Sequence, residues 1–491
     1  MNARTSTATV APPDSAGIER ADDVVRGLDL GDTGIAVTDP GTGETIAHVP
    51  DAHSTDITRT LGAAHRAGAD WARTTPRERS NVLHRWWELL NENAEEIALL
   101  ITREMGKTLP EARGEVKYGN DFVRWYAEQA VRSGGNFQEA PDGGSRIVTR
   151  RSPVGLAVLI TPWNFPLAMA TRKIAPALAA GCPAVIKPAT ATPLTAYYAV
   201  QLAHEAGVPE DLVQVVTTSS SSMFSETALR DEYTRKVSFT GSTEVGRTLL
   251  GLASERVLRT SMELGGNAPL IVFDDADVER AAAGAAAAKL RNGGQSCIAA
   301  NRMYVQSGIA DDFVSAYREQ MESVRIGHGL TEGVGIGALI NEAAVRDMAG
   351  LVEGAVEDGA ELLTGGHAPE GAGNYFEPTV LDRVPPKARI TGTEIFGPIA
   401  AIQRFDDEDE AIARANDTEF GLAGYVFTES LDRAFRAADR LETGLVGINQ
   451  GVPSNAAAPF GGVKQSGLGR EGGAEGLEEY QNIRFYNIAS R

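Results

Sequence analysis

The chain has 491 residues, with 46 lysines and arginines against 66 aspartates and glutamates and only two cysteines. A formal charge of −20 argues against non-specific binding to nucleic acid or an anionic membrane, and two thiols cannot build a disulfide scaffold. With 42% hydrophobic and 23% charged residues the composition is that of a folded globular protein, and at roughly 100–200 residues per domain the length predicts two to four domains.

Residues 1–17 are rich in Thr, Ala and Pro, show no apolar period, and read as a mobile N-terminal tail. No stretch approaches the roughly 18 consecutive apolar residues of a membrane span, and a secretory signal core is missing, which points to a cytoplasmic protein. The first third is mainly helical. Thr75 before Pro76, with Glu78 three residues after the threonine, is a capping box opening a helix through Leu83, Trp86 and Leu90. Asn93 with Glu96 repeats the signal ahead of an Ile97, Leu100, Ile101 stripe. Residues 133–145 are a polar, Gly-rich break, and RIVTRR after them alternates like an edge or bridging strand.

From Gly155 short apolar runs alternate with helical stretches: GLAVLITP, a helix from about Pro166 to Ala180, PAVIKPA, a helix near 192–206, VQVVTT, KVSFTGS and APLIVFDD. Asp277 then caps an Ala-rich helix to about Leu290, and a second set follows with YVQ, AIQRF, YVF and LVGIN as strands. Strands apolar on both faces and separated by helices indicate parallel sheets covered on both sides, hence two α/β domains. In such sheets ligands bind at the carboxyl ends of strands. The C-terminal EYQNIRFYNIA alternates apolar and polar residues and suits a strand that pairs outside its own domain.

Four short segments carry candidate chemistry. The usual GxGxxG dinucleotide fingerprint reads as absent from the chain; in its place Phe239-Thr240-Gly241-Ser242-Thr243-Glu244-Val245-Gly246 leads from strand to helix, presenting free N–H groups that seat a pyrophosphate or form a plain N-cap. Cys297, in Asn292-Gly293-Gly294-Gln295-Ser296-Cys297, follows a tight glycine turn that suits a nucleophile, although a buried inert cysteine fits the same pattern. Cys182, in a helix-to-strand turn, reads as inert. Glu263, between apolar residues and a Gly-Gly turn, is a general base made by desolvation or a capping or paired glutamate. Asn164, just past an apolar strand, donates to an oxyanion or closes a turn. With no Cys/His cluster at ligand spacing, no metal site is expected.

Together these segments are specific. TPWNFPL, KPA, FTGSTEVG, MELGGNAP, GGQSC, EIFGP and PFGGVKQSGLGREGG occur in this order, and the chain resembles the aldehyde dehydrogenase superfamily from about residue 30 to 491. AMATRKIAPALAAG, KLRNGGQSC and GINQGVPSNAAAPFGG make it most similar to succinate-semialdehyde dehydrogenases. The resemblance implies an α/β fold with a Rossmann-like cofactor domain (18–134 and 154–265), a catalytic domain (266–465) and a small oligomerisation sheet (135–153 and 466–491). A homodimer or homotetramer is implied as well.

By the same resemblance, Cys297 attacks the aldehyde carbon, Asn164 and the Cys297 N–H hold the oxyanion, Glu263 activates water, and Lys173 and Glu471 assist proton movement. Trp163, Lys187 and Thr190 surround the adenosine ribose, Gly241 and Ser242 the pyrophosphate, Leu264 the nicotinamide, and Glu394 and Phe396 its ribose. Thr161, Pro162, Asn164 and Thr240 belong to the same cofactor wall. NAD-preferring members often carry Glu where this chain has Thr190, so NADP is expected, with NAD possible as a second cofactor. The Thr217-Thr218-Ser219-Ser220 loop departs from the glycine usual there and reshapes the adenine side. Arg172, Arg291 and Ser454 match the residues that hold the carboxylate of succinate semialdehyde. Readings left open are glutarate semialdehyde or another aldehyde, an acylating enzyme that uses coenzyme A, and a non-catalytic structural or binding oligomer.

Overall fold

Capping chemistry decides where the N-terminal helices begin. The Thr75 hydroxyl accepts from Glu78 N at 3.2 Å and the Glu78 carboxylate accepts from Thr75 N at 2.6 Å, so both orphan donors at the start of the Pro76–Glu92 helix are satisfied. Thr108 and Glu111 repeat the arrangement at the Leu109–Ala130 helix. Asn93 does not. Its amide donates to Leu89 O and its Oδ1 accepts from Tyr198 Oη, so it completes the preceding helix and leaves the Ala94–Met105 helix without a side-chain cap. The computed structural model describes residues 10–28 and 30–490. The tail reading needs correction within that range. Asp14 caps a Ser15–Gly27 helix, and Ala21 is buried against Leu99 and Leu330; residues 1–9 lie outside the described residues.

One sheet has six strands in the order Gly467–Leu468, Arg259–Glu263, Thr234–Thr240, Leu156–Ile160, Ala184–Lys187, Val213–Val215, parallel except at the Gly467 edge. Leu156 to Ile160 are all buried, each large apolar side chain contributing about 1.5–3 kcal/mol by leaving water. A second sheet orders Glu361–Thr364, Thr379–Asp382, Ile399–Phe405, Ala300–Gln306, Ala268–Val272, Ala423–Phe427 and Leu445–Ile448, with only the first strand antiparallel. The APLIV strand therefore belongs with the second set, not the first. The crossing falls at Leu264-Gly265-Gly266, immediately after the last residue of the Arg259–Glu263 strand.

The Gly-rich break holds a short strand, Phe137–Glu139, and Ser145–Pro153 is the middle strand of a three-stranded sheet rather than an edge. Gln481–Ala489 pairs antiparallel with it along its whole length, from Gln481 opposite Pro153 to Ala489 opposite Ser145. Phe137, Ile483, Phe485 and Ile488 are exposed on this sheet. A hairpin of Ile35–Thr38 and Thr45–Val49 was not expected in the helical third. Among the described residues no helix is long and apolar enough to cross a membrane.

Candidate active site

Three adjacent strands of the six-stranded sheet end side by side, and each delivers one wall of a cavity of about 240 Å³. After Leu156–Ile160 come Pro162, Trp163 and Asn164; after Thr234–Thr240 come Gly241 and Ser242; Glu263 is itself the last residue of its strand, with Leu264 next. The second sheet contributes Cys297, Glu394 and Phe396 to the same cavity. Two of its segments are held in a left-handed backbone, Asn292 at φ 58° and Phe396 at φ 54°, a conformation that persists only where the surroundings impose it. Ser242 caps the Thr243–Ser254 helix through Val245 N at 3.4 Å.

Burial sets the electrostatics. It pushes the Glu263 carboxyl above the ordinary carboxylate range, with Arg172 opposing and Glu471 adding to the shift. The Cys297 thiol is held well above its usual value by burial and then by Glu263 beside it, so the thiol needs a base rather than ionising unaided. Glu263 Oε1 and Asn164 Oδ1 have no hydrogen-bond partner among the described residues. The Asn164 amide donates to Gln295 O at 3.1 Å. Glu394 accepts from Gly266 N at 3.1 Å, and its carboxyl is pushed up to about 7 by burial.

Behind the cavity lies a buried charge cluster. Arg172 Nε is 2.5 Å from Glu471 Oε2 and its Nη2 is 3.5 Å from Glu263 Oε2. Lys173 pairs with Glu471 and donates to Thr240 Oγ1 at 2.8 Å and Ser238 Oγ at 3.2 Å. Burial raises the Glu471 carboxyl, but Arg172 and Lys173 outweigh it and hold it below the ordinary range. Buried charges left unpaired would cost several kcal/mol each, by order of magnitude about what a paired geometry recovers.

Arg291 and Ser454 line a different cavity, of about 430 Å³, with Tyr118 and Phe165. The Arg291 guanidinium lies 4.9 Å from the Phe165 ring centre and 5.7 Å from that of Tyr118, and has no acidic partner within ion-pair distance among the described residues. Arg172 is not brought into that cavity; its charge faces Glu471 and Glu263 instead, with Nη1 unpartnered. Lys187 ends the Ala184–Lys187 strand opposite Ile160, buried, with only Pro188 O at 3.4 Å, and Thr190 follows it half-buried. The Thr217 hydroxyl donates to Pro50 O at 2.6 Å and Ser219 is held by Asp51. Cys182 is buried against Tyr480 O. Sequence reasoning missed Met169, which lines the Cys297 cavity and meets Arg172 Nη2 at 3.0 Å. A GxGxxG string does occur at Gly467–Gly472, but Gly467 pairs antiparallel with Glu263 and no helix opens there as a fingerprint requires.

The residues at and beside this cavity also have the chemistry to hold a dinucleotide. A β-carbon at Gly246 would stand 2.5 Å from a Leu264 methyl, so the glycine is what lets Leu264 lie against the helix. Thr161 Oγ1 is buried without a partner, Trp163 meets Phe396 edge-on at 5.5 Å, and the Ser242-capped helix supplies free N–H groups.

Comparison with known proteins agrees with this arrangement. Residues 29–486 match the aldehyde dehydrogenase family. The chain is 50% identical to a succinate-semialdehyde dehydrogenase of Paenarthrobacter nicotinovorans, over 90% of this chain and 99% of that protein. It is 47% identical to a glutarate-semialdehyde dehydrogenase of Pseudomonas putida, over 93% and 94% respectively. A crystal structure described as an E. coli NADP dependent enzyme superposes with a TM-score of 0.92 at 45% identity, covering 93% of this chain and 95% of the other. With family-wide sequence similarity, a matching fold and a cysteine, glutamate and asparagine gathered in one cavity, the chain belongs to the aldehyde dehydrogenase family.

Proposed function

We propose that this aldehyde dehydrogenase oxidises succinate semialdehyde to succinate, with NADP as its preferred cofactor and NAD as a second one, through a thioester on Cys297. The carrying observation is Arg291, a cation without an acidic partner among the described residues, in a cavity lined by Asn292 of the same loop that presents Cys297. A guanidinium placed this way selects a substrate with a carboxylate at its far end, and Ser454 adds a donor. Arg172 faces Glu471 and Glu263 instead of this cavity, so the carboxylate role rests on Arg291 and Ser454. The added methylene of glutarate semialdehyde is worth only about 1–3 kcal/mol in such a pocket, which keeps that substrate as a second reading, and the Pseudomonas putida relative favours it.

Chemistry follows from the neighbours of Cys297. The Glu263 carboxylate takes the thiol proton as sulfur adds to the aldehyde carbon. Asn164 and the Cys297 N–H donate to the oxyanion that forms. A bound nicotinamide dinucleotide supplies the hydride acceptor for this carbon. Glu263 then takes a proton from the water that attacks the Cys297 thioester, and the thiolate leaves. Lys173 and Glu471 behind Glu263 are the titratable groups that assist departure of the proton, while the permanently charged Arg172 holds the two carboxylates in place. Thr161, Pro162, Trp163, Lys187, Thr190, Thr240, Gly241, Ser242, Leu264, Glu394 and Phe396 would hold the cofactor. Lys187, free of any acidic partner among the described residues, would offset the charge of a 2′-phosphate, to which Thr190 could donate.

The chain would divide into cofactor (18–134, 154–265), catalytic (266–465) and oligomerisation (135–153, 466–491) parts, except that Gly467–Leu468 pairs in the six-stranded sheet and so goes with the cofactor part. The exposed Phe137, Ile483, Phe485 and Ile488 make the three-stranded sheet the surface on which a cytoplasmic homodimer or homotetramer would assemble. A panel of aldehydes with and without terminal carboxylates, run with each cofactor, tests the reading. The highest kcat/KM is expected for succinate semialdehyde with NADP; a preference for neutral aldehydes would overturn it.

A further inference from the structure

The Asn164 loop and the Cys297 loop rise from different sheets, so neither sheet fixes the distance between them. Both loops are tied to the start of the Leu109–Ala130 helix. Glu111 and Glu115 stand four residues apart there, which places their carboxyls on one helix face. Glu111 Oε1 accepts from Asn292 N at 2.6 Å, in the turn that leads to Cys297. Glu115 Oε1 accepts from Leu167 N at 2.9 Å and Ala168 N at 3.2 Å, in the first turn after Asn164. Lys107 joins the two sides, donating to Glu115 Oε2 at 2.6 Å and to Asn164 O at 2.8 Å. Across the gap the Asn292 amide donates to Asn164 O and to Gln295 O, both at 3.0 Å.

Lys107 and Glu115 are almost wholly buried, at 2% exposure each. A buried ion pair is weak evidence for stability, because apolar residues of the same volume often serve as well. A fixed geometry is what it does provide: each carboxylate accepts backbone N–H groups from one loop, and the helix between them is rigid. We infer that Glu111 and Glu115, with Lys107, are positioning residues that set the separation between the Asn164 amide and the Cys297 N–H. None of the three lines the cavity that contains Cys297, although all three line the neighbouring cavity that holds Arg291 and Ser454. This inference rests on the assignment of Asn164 and Cys297 as oxyanion donors.

A double-mutant cycle on the full-length enzyme tests it. Asn164→Ala is expected to lower kcat by about 100- to 1,000-fold, the usual effect of removing an oxyanion donor. Glu111→Ala is expected to lower kcat by about 10- to 100-fold through misplacement of the cysteine loop, with hexanal as well as with succinate semialdehyde, since Glu111 also lines the Arg291 cavity, and Glu111→Gln, which keeps an accepting oxygen, restores most of it. In the Asn164→Ala background Glu111→Ala should have little further effect. Independent, multiplicative losses would overturn the positioning role, as would parental kcat in Glu111→Ala. Unchanged kcat in Asn164→Ala would instead overturn the oxyanion assignment itself. Should Glu111→Ala lack a cooperative thermal transition, Lys107→Met carries the same cycle from the asparagine side, with the same outcomes.

Discussion

Gly266 packs directly against the backbone of Cys297: a β-carbon at position 266 would stand 2.3 Å from the Cys297 carbonyl oxygen. The crossing between the two sheets thus presses on the nucleophile's own peptide, and only glycine allows that approach. Gly266→Ala is expected to push the two chains apart, costing about 1–3 kcal/mol as an overpacked site does. Thermal denaturation and steady-state kinetics read the two consequences, a lower Tm and a fall in kcat.

The pH dependence of turnover carries the signature of Glu263. A general base works deprotonated, so kcat rises as pH rises through its pKa. Since burial lifts that carboxyl above its ordinary range, the acid limb of the kcat profile belongs above the usual carboxylate titration. Glu263→Gln removes this limb and lowers kcat by about 100- to 10,000-fold. A limb that persisted unchanged in the variant would belong to another group.

Substrate choice is read through Arg291. Arg291→Ala is expected to raise KM for succinate semialdehyde at least tenfold, since a hydrogen bond to a charged group contributes about 1.5–3 kcal/mol. Hexanal, which has no carboxylate, should show little change. Equal effects on both aldehydes would count against the carboxylate role.

Cofactor preference is read at position 190. Thr190→Glu puts a negative charge where the 2′-phosphate of NADP would lie, near Lys187, and repulsion at that distance penalises only the phosphorylated cofactor. The ratio of kcat/KM for NADP to that for NAD should fall at least tenfold.

The parallel strands were readable because an apolar run such as Leu156–Ile160, buried on both faces, has no other stable setting. The hairpin at Ile35–Thr38 and Thr45–Val49 escaped notice because its strands are short and half-exposed, although Asp39-Pro40-Gly41-Thr42-Gly43 between them is a turn signal. Sheet membership of Ala268–Val272 was not readable, since apolar runs on either side of the crossing look alike and only long-range pairing separates them. The convergence of Cys297, Glu263 and Asn164 followed from motifs; the pairing of Arg172 with Glu471 did not, because a local sequence window contains only one partner. Glu111 and Glu115 were within reach, at helical spacing just after a Thr108 capping residue.

The thioester on Cys297 is tested most directly by acid-quenching the parental enzyme within its first turnover, after rapid mixing with succinate semialdehyde and NADP. Peptide mass spectrometry is expected to find one succinyl group on the peptide containing Cys297, in step with the NADPH formed. NADPH formation with Cys297 unmodified, or with the acyl group on another residue, would contradict it.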